Sequence, residues 1–488
     1  MLKKLISNYK QLSNPVKAAF WFTICNLLLK GISLITVPIF TRMLSEIEYG
    51  KLSLFVSYEQ FFLILSTWEI QNGAYQKGIF KYKDNIKNYT AATISLVNLL
   101  TVAFFCIIFL LITPISNFTQ ISADIFIVLC VYFIVRPAYD CWLIRQRTEY
   151  KYKNAVILTL LYSLANVFIP ICALKVIGET AQIKYVSGLI ISILICLGFY
   201  VFSLVPLKSI WKDKKRTVEQ WSFMLRFEGP LVLHSLSYLI LNQSDRVMIG
   251  KLVGNAQAAY YSIAYNLSTV IVLFQNSINQ ALLPWRYQML EEKKYKQMKE
   301  VNTNLLIIFA MGILLFILIC PEIMRVLFTE NYYEAVWCIP PISLSVYFMF
   351  LYTIFVNIET YFEKTQYVMY VSGTCSIINI ILNYFGIIYF GYISCAYATL
   401  VSYILFSIGH YYFMKRTLEK NDIKSSEIVD SKMLIFISIL IIIITILFIC
   451  LYNYYILRWA VIGMLVLLIV MKREKIYGIL TMVRGEKE

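Results

Sequence analysis

Histidine is nearly absent from this chain: His234 and His410 are the only two among 488 residues. Eleven cysteines are present, but no two form a C-x-x-C pair and no Cys/His spacing matches a metal site. No metal and no other cofactor is therefore expected, and the thiols read as small packing residues within apolar runs. The sequence G-x-x-x-x-G-K-[ST] does not occur, which argues against direct drive by nucleotide hydrolysis. Charge is scarce too, at 15% of residues, where a soluble domain carries about a quarter. The opening MLKKLISNYK lacks the short apolar core and small-residue cleavage site of a signal peptide, so no cleavage is expected.

Apolar residues take the place of charge, reaching 59% of the chain. Runs of about twenty recur near 18–40, 49–71, 92–113, 122–144, 154–176, 185–206, 230–250, 257–283, 302–323, 336–359, 367–388, 391–414, 433–451 and 457–471. The fold class expected is an all-α integral membrane protein of about fourteen transmembrane helices. A formal net charge of +16 could suggest nucleic acid, but its distribution argues otherwise. With the N-terminus in the cytoplasm, 33 of the 44 Lys and Arg fall in inner segments and 7 in outer loops. That asymmetry puts both termini inside and an even number of spans between them. The expected location is a membrane, with membrane lipids as neighbours and no nucleic-acid partner.

The basic loop KSIWKDKKRTVEQ parts the chain. A first part of six spans covers 1–207, a basic cytoplasmic linker with a short interfacial helix covers 208–229, a second part of six spans covers 230–420, and two peripheral spans with a basic tail cover 421–488. Spans thirteen and fourteen are almost purely apolar and are expected to face lipid.

Polar residues inside the spans mark the candidate site. In the first span Thr23, Asn26, Lys30 and Ser33 recur at three or four residues and share one helix face. A lysine at the centre of a membrane helix costs roughly 2.5–3.5 kcal/mol on insertion scales, and such a stripe must meet another helix or a water-filled cavity. Two readings stand: Lys30 pairs with Glu59 of the second span, or it lines a cavity that receives an anion. In the fourth span, Arg136 and Asp140 have the spacing of a local ion pair beside Pro137. The seventh span carries His234, Tyr238, Asn242 and Asp245 on one face, with Arg246 adjacent; Asp245 and Arg246 can also pair structurally. The eighth adds Asn266, Gln275, Asn276, Asn279 and Gln280, and the eleventh Asn379 and Asn383. Arg226 falls at the cytoplasmic mouth. A weak internal repeat with an offset of 209 residues sets Arg42 on Lys251, Gly50 on Ala259 and Ser53 on Ser262, which indicates two parallel halves.

The segments ITVPIFTRMLSEIEYGKLSLF and NQSDRVMIGKLVGNAQAAYYSIAYN, with the asparagine-bearing eleventh span, resemble the bacterial flippases of O-antigen and capsule repeat units. These belong to the multidrug, oligosaccharidyl-lipid and polysaccharide exporter superfamily. Ala259 departs from the glycine common there. The resemblance implies two six-helix lobes in pseudo-two-fold arrangement around a central cavity, alternating access, and a short glycan on undecaprenyl diphosphate as substrate. Such a chain is not an enzyme, is expected to be a monomer, and works beside a polysaccharide polymerase and glycosyltransferases. On this reading Lys30, Asn26, Ser33, Arg226, Arg246, Asn276 and Asn279 contact the substrate, while Glu59, His234 or Asp245 couples an ion. Three alternatives share features with it. A lipid II flippase usually carries several arginines where this chain has one lysine. A drug or cation exporter would more naturally place acids in the cavity. A membrane glycan polymerase usually needs a large outer loop, and the outer loops here are short.

Overall fold

The structure is a computed structural model describing residues 13–204 and 213–471. The N-terminal decapeptide, Lys208 and Lys212 of the linker, and the basic tail from 472 lie outside the described residues. Every regular element among the described residues is helical. In chain order they are α1 (Asn14–Met43), α2 (Glu46–Thr67), α3 (Ala74–Lys81), α4 (Ile86–Leu110), α5 (Ile112–Thr119), α6 (Ala123–Thr148), α7 (Tyr152–Ile177), α8 (Ala181–Leu204) and α9 (Lys214–Leu252). They continue as α10 (Asn255–Glu291), α11 (Tyr295–Leu327), α12 (Ile339–Tyr361), α13 (Thr365–Phe390), α14 (Ser394–Glu419), α15 (Ser425–Ile428), α16 (Ser431–Cys450) and α17 (Tyr455–Met471). Leaving aside the short α3, α5 and α15, fourteen long helices remain, in agreement with the expected span number. Nine of these, counted over the described residues, are both long and apolar enough to cross a membrane by composition alone. Of the others, α17 is apolar but short, and α2, α9, α10 and α14 are diluted by polar residues.

Local chemistry sets the helix boundaries. Ser45 accepts the Glu48 amide at 3.3 Å at the start of α2, where Glu46 and Glu48 also complement the helix dipole. Asn85 caps α4 through the Asn88 amide, and Asp430 caps α16 through the Met433 amide. After α2 the backbone turns through Trp68 and Glu69, both left-handed at φ 51°. That conformation costs a side-chain-bearing residue roughly 1–2 kcal/mol, so the surrounding packing must hold it.

The chain forms two compact units, residues 1–239 and 240–488. In the first, α6 packs on α8, α7 on α8 and on α1, and α4 on α2 and α6. The sequence reading places a short interfacial helix before Gly229 and Pro230, separate from the seventh span. The structure instead runs one helix, α9, through both residues. Pro230 removes a single main-chain hydrogen bond, and the segment before it is anchored. Trp221 Nε1 donates to the Ala92 carbonyl of α4 at 2.9 Å, and Met224 is fully buried.

Glu228 makes the tightest of these anchors. Its carboxylate accepts the Ala74 amide, the first of α3, at 2.7 Å. The approach requires Gly73, because a β-carbon there would lie 2.4 Å from the carboxylate. On the same short helix the Ala74 carbonyl accepts the Tyr89 hydroxyl at 2.9 Å, and the Tyr89 ring fills the space a side chain at Gly78 would need. Glu228 precedes the apolar part of α9, and its carboxyl is pushed up to about 7. Burial is the main cause, the Ala74 amide opposes it, and the nearby negative Glu69 adds to it. The folded state therefore holds this proton more tightly than the unfolded chain. The stabilisation is complete below the ordinary carboxylate range and is lost as pH rises through about 7. Thermal midpoints of the purified protein should accordingly fall between pH 6 and pH 8, and Glu228→Gln should flatten that slope; an unchanged slope in the variant would remove Glu228 as its source.

Candidate functional site

Unit 1 contains a cleft of about 560 Å³ whose wall is unusually polar for a membrane-spanning bundle. Spacings of three and four along α2 put Val56, Glu59, Gln60, Leu63 and Ile64 on its lining face. The left-handed turn after α2 supplies Glu69, α6 supplies Arg136, and α9 supplies His234, Ser235 and Tyr238. Two carboxylates, one guanidinium, one imidazole, one amide and two hydroxyls thus share one space. Groups of this kind demand water, one another or a ligand, because hydrocarbon satisfies none of them.

Most of them have protein partners. Glu59 accepts the Tyr185 hydroxyl of α8 at 2.9 Å. Glu69 accepts from the side chains of Ser235 and Asn72. Arg136 forms the local ion pair expected from its spacing, with Nε 3.3 Å from Asp140, and it also donates to the Tyr132 hydroxyl one turn earlier. Pro137 lies between the two charges inside α6. The cleft is thus lined by charges that its own helices hold in place.

The expected site residues divide among several places. Glu59 and His234 share the cleft, joined by Arg136 and by Glu69, which sequence reasoning passed over as a residue at the end of a span. Lys30 lies elsewhere. With Thr23, Asn26 and Ser33 it is exposed on α1, whose buried face runs through Ala18, Cys25, Pro38, Phe40 and Thr41 and which packs chiefly on α7. The pairing considered between Lys30 and Glu59 is not formed, and no described carboxylate forms an ion pair with Lys30. Adjacency of the two helices in sequence does not set the azimuth of either charge. Arg226 lines a separate open groove of about 730 Å³ with Lys81, Lys215, Phe223 and Phe227, where the Lys81 ammonium sits 4.4 Å from the Phe223 ring centre.

Unit 2 gathers its polar residues differently. Asp245 of α9 is fully buried and accepts from Tyr261 of α10, Asn383 of α13 and Thr399 of α14, the last at 2.8 Å. Asn379 extends the network to Ser244 at 3.3 Å, Asn383 at 3.0 Å and Ser402 at 3.2 Å. The Asp245–Arg246 ion pair considered from sequence is absent from the ion pairs among described residues. Arg246 is turned inward, donates to Gln243 and lies 4.5 Å from the Tyr265 ring centre. Asn279 accepts from Arg286 at 2.9 Å and Asn357 at 2.8 Å, whereas Asn276 is exposed. Among the described residues, no cluster of three or more His, Cys, Asp or Glu could hold a metal ion.

Fourteen long helices, most of them apolar, define a multi-pass membrane protein that carries clefts and buried polar networks. The chain belongs to the family described as polysaccharide biosynthesis protein, whose model matches residues 16–290; the MatE model matches residues 230–385. An uncharacterized membrane protein of Methanocaldococcus jannaschii is 28% identical over 192 residues, which are 38% of this chain and 44% of that protein. A Lsg locus protein of Haemophilus influenzae is 29% identical over 72 residues, 15% of this chain and 18% of that one. The matches thus span less than half the length of these curated relatives. Among solved structures, the lipid II flippase MurJ in an inward closed conformation is similar with a TM-score of 0.66, at 15% identity, covering 93% of this chain and 99% of that one. An inward-facing multidrug resistance MATE family transporter follows with a TM-score of 0.61, at 10% identity, covering 82% and 99%. The fold is that of the multidrug, oligosaccharidyl-lipid and polysaccharide exporter superfamily.

The cleft yields a stability test. Asp140→Asn leaves the Arg136 guanidinium without its carboxylate, and hydrogen bonds to a charged partner are worth about 1.5–3 kcal/mol. A drop of several degrees in thermal midpoint is expected, largely recovered in the double variant Asp140→Asn with Arg136→Met. If the double variant melts as low as the single one, Arg136 has been charged with a strain it does not carry.

Proposed function

We propose that this protein is a flippase that moves a lipid-linked oligosaccharide, an undecaprenyl-diphosphate repeat unit of the O-antigen or capsule kind, from the inner to the outer leaflet. The observation that carries the reading is the stripe of Thr23, Asn26, Lys30 and Ser33, exposed on a membrane helix and holding a cation with no carboxylate paired to it among the described residues. Such a face cannot rest against hydrocarbon at mid-depth, so it suits a water-filled cavity. A diphosphate crossing a low-dielectric core gains from a fixed cation, and the amides and hydroxyls beside it suit sugar hydroxyls. Family membership supports a polysaccharide precursor as cargo.

In this reading Lys30, with Asn26 and Ser33, engages the diphosphate, and Arg226 and its basic groove receive the headgroup at the cytoplasmic face. Arg246, Asn276 and Asn279 belong to the path through the second unit. Glu59 and His234 in the cleft, or Asp245 in its network, bind the coupling ion. One elementary charge accompanying the cargo across the potential is worth about 2.3 kcal/mol per 100 mV, enough to bias the cycle. Both termini lie in the cytoplasm of a bacterial inner membrane. Glycosyltransferases that build the lipid-linked unit must act before this step, and a polymerase that joins units after it.

The likeness to a lipid II flippase over nearly the whole chain favours a second reading, in which the cargo is the peptidoglycan precursor. Both cargoes carry a polyprenyl diphosphate, so the cation serves either. Assays with the purified protein in vesicles containing one or other glycolipid separate the two by which cargo moves.

For either diphosphate lipid, Lys30→Ala and Lys30→Gln should lower the flipping rate about tenfold or more at wild-type abundance, with Lys30→Arg retaining most of it, as expected when a charge-assisted hydrogen bond is removed or conserved. Normal flipping by the Gln variant would sink the diphosphate contact. Faster export of an organic cation by the same variant would instead favour a drug exporter.

A further inference from the structure

The second unit holds a buried titratable pair that neither the cleft nor the Asp245 network uses. Glu359 lies within the last turn of α12, and His410 faces it from α14. Both are fully buried, and the imidazole Nδ1 stands 3.1 Å and 3.0 Å from the two carboxylate oxygens. The other ring nitrogen, Nε2, is buried without a hydrogen-bond partner among the described residues.

The surroundings supply no counter-charge. Tyr352 of α12 stacks on the imidazole at 5.6 Å, and Phe406 of α14 lies 4.9 Å from it. Behind them, Tyr403 of α14 stacks on Tyr352, while Leu241 of α9 and Val371 and Cys375 of α13 complete an apolar cluster with Phe406. Among the ion pairs of the described residues, Glu359 occurs only with His410. The titratable groups facing the pair are therefore phenols and a thiol, all uncharged at neutral pH.

Charge bookkeeping then gives the pair a function. A carboxylate beside a neutral imidazole leaves one uncompensated negative charge in an apolar interior, a costly state. One added proton makes the pair neutral overall, whether as imidazolium with carboxylate or imidazole with carboxylic acid. While Nδ1–H stays on the carboxylate, the lone pair of Nε2 can take up that proton with no bond in the pair being broken. A purely structural tie has no use for the open nitrogen.

We infer that Glu359 and His410 form a proton-binding site of the second unit, loaded through Nε2, whose charge state biases the packing of α12 against α14. This site is distinct from Glu59, His234 and Asp245. What the proton does rests on the transporter reading; whether it binds does not.

The chain's two histidines make the test direct. Full-length protein with ring-labelled histidine, placed in lipid nanodiscs with His234→Gln, leaves the His410 signal alone. Between about pH 5 and pH 9 it should show a single protonation step. Adding Glu359→Gln should weaken proton binding about tenfold or more, one pH unit or above, whereas Glu359→Asp should retain most of it. No step in the His234→Gln protein overturns the inference, and so does a step that Glu359→Gln leaves in place. The first of these outcomes needs no further variant, so it decides the matter even if Glu359→Gln does not fold. Because no cargo enters the measurement, its result is separate from that of the flipping assay.

Discussion

Hydrocarbon offers no hydrogen bonds, and most of what is distinctive in this molecule follows from that constraint. Main-chain groups are satisfied by running helices through the membrane, including through Pro38, Pro137 and Pro170, whose missing amides cost less than leaving an unpaired loop at that depth. Side chains face the same demand, and the chain answers it with small closed networks. Hydroxyls of Thr23, Thr93, Ser192 and Ser268 turn back onto carbonyls four residues earlier in their own helices. Ionisable groups cannot be silenced that way, so their positions carry information about function.

Ionisable groups inside the helices are met by two kinds of chemistry, and unit 2 uses both, since Arg458 pairs with Glu322 there as Arg136 pairs with Asp140 in unit 1. In unit 1 charge meets charge: Arg136 has Asp140, and the remaining acids of the cleft take hydroxyl and amide donors. In unit 2 the acid Asp245 is held by neutral donors from three other helices, and the guanidinium of Arg286 is held by the side-chain carbonyls of Asn279 and Asn302. Neutral ligands leave the charge of the central group uncancelled. Such a group favours a counter-ion, and a carboxylate such as Asp245 also a proton, whenever water reaches it, whereas the ion-paired cleft is closer to self-sufficient.

The span pattern was legible in the sequence because hydropathy over twenty residues is set by the bilayer and not by tertiary detail. The Arg136–Asp140 pair was legible for a related reason, since four residues apart on a helix is a fixed distance. Position within an apolar run could also be read, which is how Lys30, Glu59 and Asp245 stood out. Azimuth could not: whether Lys30 turns toward Glu59 depends on how α1 packs on α7, and no residue pattern states that. The partners of Asp245 lie 16 to 154 positions away, and those of Glu359 51 away, so neither network has a local signature. The uninterrupted α9 was hidden because Gly229 and Pro230 read as punctuation, and only the anchoring of Trp221 and Glu228 overrides them.

Short connections between spans are ordinarily the part of a membrane protein that varies most freely in length. The one between α2 and α4 is different, because α3 is held by two sockets five residues apart: Gly73 receives the Glu228 carboxylate and Gly78 receives the Tyr89 ring. A single inserted or deleted residue between Gly73 and Gly78 would rotate one socket about 100° away from its plug while the other stayed seated. This connection therefore behaves as a gauge of fixed length between two spans, and relatives that keep both glycines should keep the number of residues between them as well.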